Sequence, residues 1–188
     1  MKFYLVFAVL VGLAACRPDP PQQAINTQAY FDLNTWLDDQ LDQLKQSEVG
    51  MNKTILINGE KDQTSVKPQL IDWENTLDIF RELDINKPNY LNSFEVEEQA
   101  EQGGKVIRYF AKDPLLKVQQ MEVRFEGDQL VSLSGEIQEE NLFFVSKRHF
   151  QINASATGRL ESLSLSGFQK LVAKDTMQYE IHLQLAGR

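Results

Sequence analysis

The sequence predicts an α+β domain: a long antiparallel β-meander, curved into an open sheet or half-barrel, with two amphipathic helices packed on one face. Three observations carry this reading. Apolar residues recur at spacings of three and four in two early segments, the signature of helices that bury one stripe. From residue 92 onward the apolar period changes to two, the signature of strands that bury one face. The connections between those strands are a few residues long, which leaves no room for crossover helices and so dictates antiparallel neighbours.

The chain has 188 residues and opens with a segment that belongs to no fold. Lys2 gives a positive start and residues 3–15 are apolar throughout, the n-region and h-region of a secretory signal peptide assigned to residues 1–15. As a helix the apolar run rises only about 20 Å, against roughly 30 Å of bilayer hydrocarbon. It is therefore too short for a permanent span. The run ends at Leu13-Ala14-Ala15-Cys16, and Cys16 is the only cysteine in the chain. With no possible disulfide partner, a thiol at this seam calls for another use. The four residues resemble the lipobox of bacterial lipoproteins, and the resemblance implies a diacylglyceryl thioether on Cys16 and cleavage before it. Two or more acyl chains hold a protein firmly on a membrane where one does not, so the membrane is an expected partner through the lipid anchor.

Residues 16–27 then read as the lipidated cysteine followed by a tether, because Pro18, Pro20 and Pro21 hold the backbone extended. Arg17 stands where an inner-membrane retention signal would carry Asp, and Asp19 is the lone acid nearby. The expected location is the cell envelope, on the periplasmic face of the outer membrane. The remainder, residues 28–188, suits one globular domain with a sizeable core.

Within that domain, Tyr30, Leu33, Leu37, Leu41 and Leu44 share one helical face, while Asp38, Asp39, Asp42 and Lys45 fall elsewhere. Asn26 or Thr27 is the expected cap. A second helix is expected to start at Asp72 as N-cap, carry Trp73, Leu77, Phe80 and Leu83 on one stripe, and stop before Asn86-Lys87-Pro88. Between the helices, residues 53–57 are β-prone, Asn58-Gly59 signals a hairpin turn, and the polar return strand 60–66 suits a sheet edge. Seven further strands are expected over 93–99, 105–111, 116–126, 129–138, 142–154, 159–172 and 177–185, separated by Gly-, Asp-, Asn- and Pro-containing turns. Gly167-Phe168 breaks the parity set by Leu163 and Leu165, which predicts a β-bulge there.

Composition narrows the function. A net charge of −8 repels phosphate backbones, so nucleic acid is not an expected partner. Two histidines and one cysteine are too few for a zinc centre of the usual ligand types, and no metal or cofactor is expected. Ser132, Ser134, Ser162, Ser164 and Ser166 alternate with apolar residues, as the wet face of a sheet would, and no nucleophile elbow or phosphate-cradling glycine loop occurs. His182 lies two residues from Glu180 on one strand face, where an exposed polar pair is the plain reading. Catalytic residues are accordingly not expected. The candidate contacts are Trp36, Trp73 and Phe80 for an apolar ligand or a docking partner, and the basic island Lys147-Arg148-His149 for a phosphate or carboxylate head.

The order of helix, hairpin, helix and long meander is similar to that of periplasmic lipoprotein-carrier half-barrels, which implies a curved sheet sheltering acyl chains. Asp78-Ile79-Phe80-Arg81-Glu82-Leu83-Asp84-Ile85-Asn86-Lys87-Pro88 resembles a segment of uncharacterised Bacteroidota lipoproteins, and no activity comes with that likeness. Two function classes stay open at this point. One is a non-enzymatic binding module for an apolar small molecule or acyl chain; the other is an interaction lipoprotein that docks on another envelope protein. A wholly filled concave face favours docking, and an open apolar pocket favours binding.

Overall fold

A computed structural model describes residues 29–186 of the chain. Cys16, the tether and the candidate caps Asn26 and Thr27 lie outside the described residues. Nine strands form one open antiparallel sheet: β1 Gly50–Ile57, β2 Glu60–Val66, β3 Phe94–Glu101, β4 Gly104–Ala111, β5 Val118–Glu126, β6 Gln129–Glu140, β7 Phe144–Ala154, β8 Leu160–Leu171 and β9 Met177–Ala186. Their order in space is β2-β1-β9-β8-β7-β6-β5-β4-β3. The meander from β3 to β9 thus runs in sequence, and the first hairpin joins it at β9 through pairs such as Ile55 with Ile181. Both edges are polar: β2 reads EKDQTSV and β3 carries Glu95, Glu97, Glu98 and Glu101, which discourages further strands from adding.

The helices α1 (Leu33–Lys45) and α2 (Trp73–Asp78) cover the concave face, as the hydrophobic stripes require. Leu33, Leu37 and Leu44 from α1, Trp73 and Leu77 from α2, and Phe80 and Leu83 just beyond it bury themselves against Phe150, Ile152, Leu133 and Met121 of the sheet. The stretch from β2 to β3 crosses that face from one sheet edge to the other.

Three expectations are corrected. The first helix starts at Leu33 with Asp32 as its cap, accepting from the Thr35 amide at 3.0 Å. Tyr30 and Phe31 stay outside it because their backbone groups are already engaged. Asn86 accepts from the Tyr30 amide at 3.0 Å and donates to the Phe31 carbonyl at 2.9 Å, while the Phe31 amide donates to the Tyr109 hydroxyl at 3.1 Å. The second helix begins on its Asp72 cap as expected, but only its first part is α-helical; Ile79–Leu83 continues as a tighter 3-10 turn. At three residues per turn, Phe80 and Leu83 line up on one side, so both reach the core from a short segment.

There is also no bulge at Gly167. Its pairing with Arg148 on β7 and Tyr179 on β9 is in register, and the irregularities lie instead at Val118/Gln120, Arg124/Phe125 and Asn153/Ala154. Leu163, Leu165, Gly167 and Gln169 keep one parity on the concave face, and Phe168 belongs to the other. A glycine stands at 167 because a Cβ would lie 2.2 Å from the Lys147 carbonyl oxygen.

Candidate functional site

Alternation along the strands decides what the concave face offers. At the end of β1 and the start of β9 the inward residues are Ile55, Ile57, Met177, Tyr179 and Ile181, all apolar or aromatic. On β7 and β8 two inward positions nearby are small, Ser146 and Gly167, between the larger Phe144, Arg148, Leu165 and Gln169. Helical cover stops at Ile79. Space is therefore left over the sheet, an open groove of about 510 Å³ floored by Ile55, Leu165, Tyr179 and Ile181 and walled by Ile79, Phe144 and Arg148. The lining is predominantly apolar with a few polar groups, and the size falls within the roughly 300–1,000 Å³ of small-molecule sites. Burial raises the pKa of the Tyr179 phenol above its ordinary value.

Arg148 does not leave its charge free in that wall. It grips Glu82 through two parallel hydrogen bonds of 2.7 and 2.8 Å and reaches Glu139 at 2.9 Å. Lys117 completes the set, 2.7 Å from Glu82 and 3.2 Å from Glu139. Two cations thus face two carboxylates. Hydrogen bonding from Arg148 holds the Glu82 carboxyl at a pKa of about 2, against the opposing effect of burial. The same bonds to Glu82 raise the pKa of Arg148. Burial alone would depress Lys117, but its contacts with Glu82 and Glu139 outweigh that and keep it above its ordinary value. The network locks the 3-10 turn to β5, β6 and β7 and so fixes the wall of the groove.

The predicted contact residues are not brought together. Trp73 and Phe80 are core, Phe80 meeting the Phe150 ring edge-on at 5.7 Å, and neither lines the groove. Trp36 is half-buried on α1 against the same core and lies outside the groove lining. The basic island is split by the pleat. Arg148 points to the concave side, whereas Lys147 pairs with Glu136 at 2.8 Å on the convex side, and His149 lines a separate small recess there with Arg108, Glu122 and Ser134. A joint grip on one anionic head is therefore excluded. The convex face is wet, with Ser132, Gln151, Asn153 and Ser162 joined in a side-chain ladder. Ser164 and His182 share a hydrogen bond of 2.7 Å beside it.

Sequence reasoning missed the residues that make the site. Glu82 and Arg148 are 66 positions apart, and nothing local in either neighbourhood announces the other. Gln40, nearly fully buried on α1, donates to the Gly158 carbonyl at 3.1 Å and accepts from the Leu160 amide at 2.8 Å. A glutamine inside a leucine stripe was the available signal. Among the described residues, no group of three or more His, Cys, Asp or Glu side chains is arranged to hold a metal. Nor is any helix there long and apolar enough to cross a membrane.

Fold and site together define an α+β protein whose open antiparallel sheet carries an apolar groove beside its helical cover. No protein-family model matches the chain, and no curated protein or solved structure matches it significantly.

Proposed function

We propose that this chain is a membrane-anchored envelope lipoprotein, tied to the bilayer by acyl chains on Cys16, and that it acts as a non-enzymatic binding module for an apolar or acyl ligand. The observation that carries the reading is the uncovered apolar groove beside Ile79. A docking lipoprotein needs no such space, because its concave face can be filled throughout, as it is beneath α1 and α2. The groove combines a hydrophobic floor with a rigid charged wall, the usual makeup of a site that takes an apolar body and orients it at one end. The paired state of Arg148 argues for ligands recognised by shape and hydrophobicity rather than by a strongly bound anion.

Ile57 and Met177 stand at the mouth, half-exposed, so charges placed there leave the core untouched. The test is titration of the full chain with dansyl-undecanoic acid, a fluorescent fatty acid. Saturable binding of one probe per chain is expected, with affinity at least tenfold weaker in the Ile57→Glu/Met177→Glu variant. Absent binding, or equal binding by the variant, overturns the groove reading. The anchor is tested separately by Cys16→Ser: the variant should leave envelope vesicles in a carbonate wash that the unaltered protein survives.

A further inference from the structure

The connections at one end of the sheet differ from those at the other. At the end where β4 passes to β5, β6 to β7 and β8 to β9, Leu115, Leu142, Phe143 and Val172 are between 67 and 90% exposed. Away from this end only Leu70 is comparably exposed among the described residues. The three tips are neighbours. The Val172 amide donates to the Phe143 carbonyl at 2.9 Å, and the Gln138 amide to the Lys117 carbonyl at 2.9 Å, which ties the β4–β5 connection to β6. We propose that Leu115, Leu142, Phe143 and Val172 form a rim that seats in the interfacial layer of a lipid bilayer, orienting the domain end-on to the membrane.

Two features favour a lipid surface over a shaped protein partner. The first is backbone capping. An unpaired amide is costly wherever water is scarce, and local capping pairs about half of those at the tips. Asn141 accepts from the Phe143 and Phe144 amides at 2.8 and 3.1 Å, and Asp113 accepts from the Leu115 amide at 2.9 Å. The Leu116 amide is held by the Asp113 carbonyl at 3.1 Å, and the Lys174 amide by the Leu171 carbonyl at 3.3 Å. Turns capped in this way strand fewer donors when they shed water than open loops would.

The second feature is charge. In a chain of net charge −8, the rim connections carry Lys112 and Lys174, neither of which forms an ion pair among the described residues. Asp113 and Asp175 stand beside them, and Asp113 is turned back onto its own loop. The rim connections are thus charge-balanced in an otherwise acidic chain, so this end can approach a headgroup layer where the acyl boundary takes the apolar side chains and the headgroups take the ammonium groups. The apolar groups project from three separate tips rather than one continuous face, and a fluid layer can receive them singly. None of these four side chains lines the groove, so this inference does not depend on ligand binding there.

The test uses the full chain with Cys16→Ser and one new cysteine carrying an environment-sensitive fluorophore, at Val172→Cys on the rim or Asp128→Cys at the far end. Mixed with vesicles of phosphatidylethanolamine and phosphatidylglycerol, the Val172 label should shift to the blue and be quenched by doxyl groups on the acyl chains. The Asp128 label should do neither. Adding Leu115→Asp/Leu142→Asp/Phe143→Asp, all at exposed positions, should abolish the Val172 response. Equal responses at the two ends, or none at Val172, overturn the proposal. A Val172 shift that grows with protein concentration in the absence of vesicles also overturns it, assigning the rim to a second copy of the chain.

Discussion

At the scale of single residues, Glu82 does the most to hold the concave face together, since it links the 3-10 turn to Arg148 on β7 and Lys117 before β5. Its carboxyl pKa is lowered from 4.5 to about 2, so the folded state favours the ionised form. The stabilisation this supplies is fully present above the ordinary carboxylate value and fades as pH falls toward 2. Glu82→Gln should therefore lower stability at neutral pH by about 1–2 kcal/mol, a figure reduced for partial solvent screening. The gap between variant and unaltered chain should narrow as pH falls from 4.5 toward 2, and both carry a neutral side chain only below that window. Thermal melts of the two chains across that range check it, and a gap that stays constant with pH refutes the ion pair as its source. None of this was legible in the sequence, because the partners are brought together only by the fold. Gln40 and Asn86 belong to the same category. A polar side chain whose hydrogen bonds run to backbone far away in sequence leaves no periodicity behind.

At the scale of elements, strands and turns were legible to within about three residues because alternation and short connections are local signals. Residues 60–66 were recognisable as an edge strand from their polarity, and Asp72 as a helix cap from its place before an apolar stripe. The second helix was read too long for a physical reason: a stripe of Trp73, Leu77, Phe80 and Leu83 fits an α-helix and equally fits a helix that tightens halfway. What decides between them is the surface below. Gly135 lies under Leu83, and a Cβ there would come within 2.4 Å of its Cδ2 atom. Gly135→Ala should thus cost about 1–3 kcal/mol by pushing a fully buried side chain off its seat. Leu83→Ala alone should cost about 2–5 kcal/mol through the cavity it leaves. The double variant should be less destabilised than the sum by at least about 1 kcal/mol, since the truncated residue no longer collides with the added methyl. Urea unfolding of the four chains measures this coupling; strict additivity would show that the turn does not press on the sheet at Gly135.

For the molecule as a whole, the feature that sequence could not supply is the joining of β1 to β9. A hairpin whose return strand reads as a sheet edge, but whose other neighbour no local signal names, becomes the extension of the meander, and the groove is built over that junction. The arrangement grades stability across the sheet. β2 has one neighbour and is exposed along nearly its whole length, whereas β7 sits between two long strands with Phe150 and Ile152 fully buried. Amides in such settings open through different routes: edge strands by local fraying, central strands only by global unfolding. Hydrogen exchange followed by mass spectrometry should therefore show β2 exchanging first and β6 to β8 last. Saturation with dansyl-undecanoic acid should slow exchange in β1 and β9 near Ile55, Ile57 and Tyr179, because those strands flank the groove and receive least support from the helices. It should leave β4 and β5, on the far side of the covered core, unchanged beyond any shift in global stability. Protection appearing first in β4 and β5 would mean that the fatty acid lodges elsewhere, and uniform protection of β2 and β7 would mean that the sheet opens as one unit.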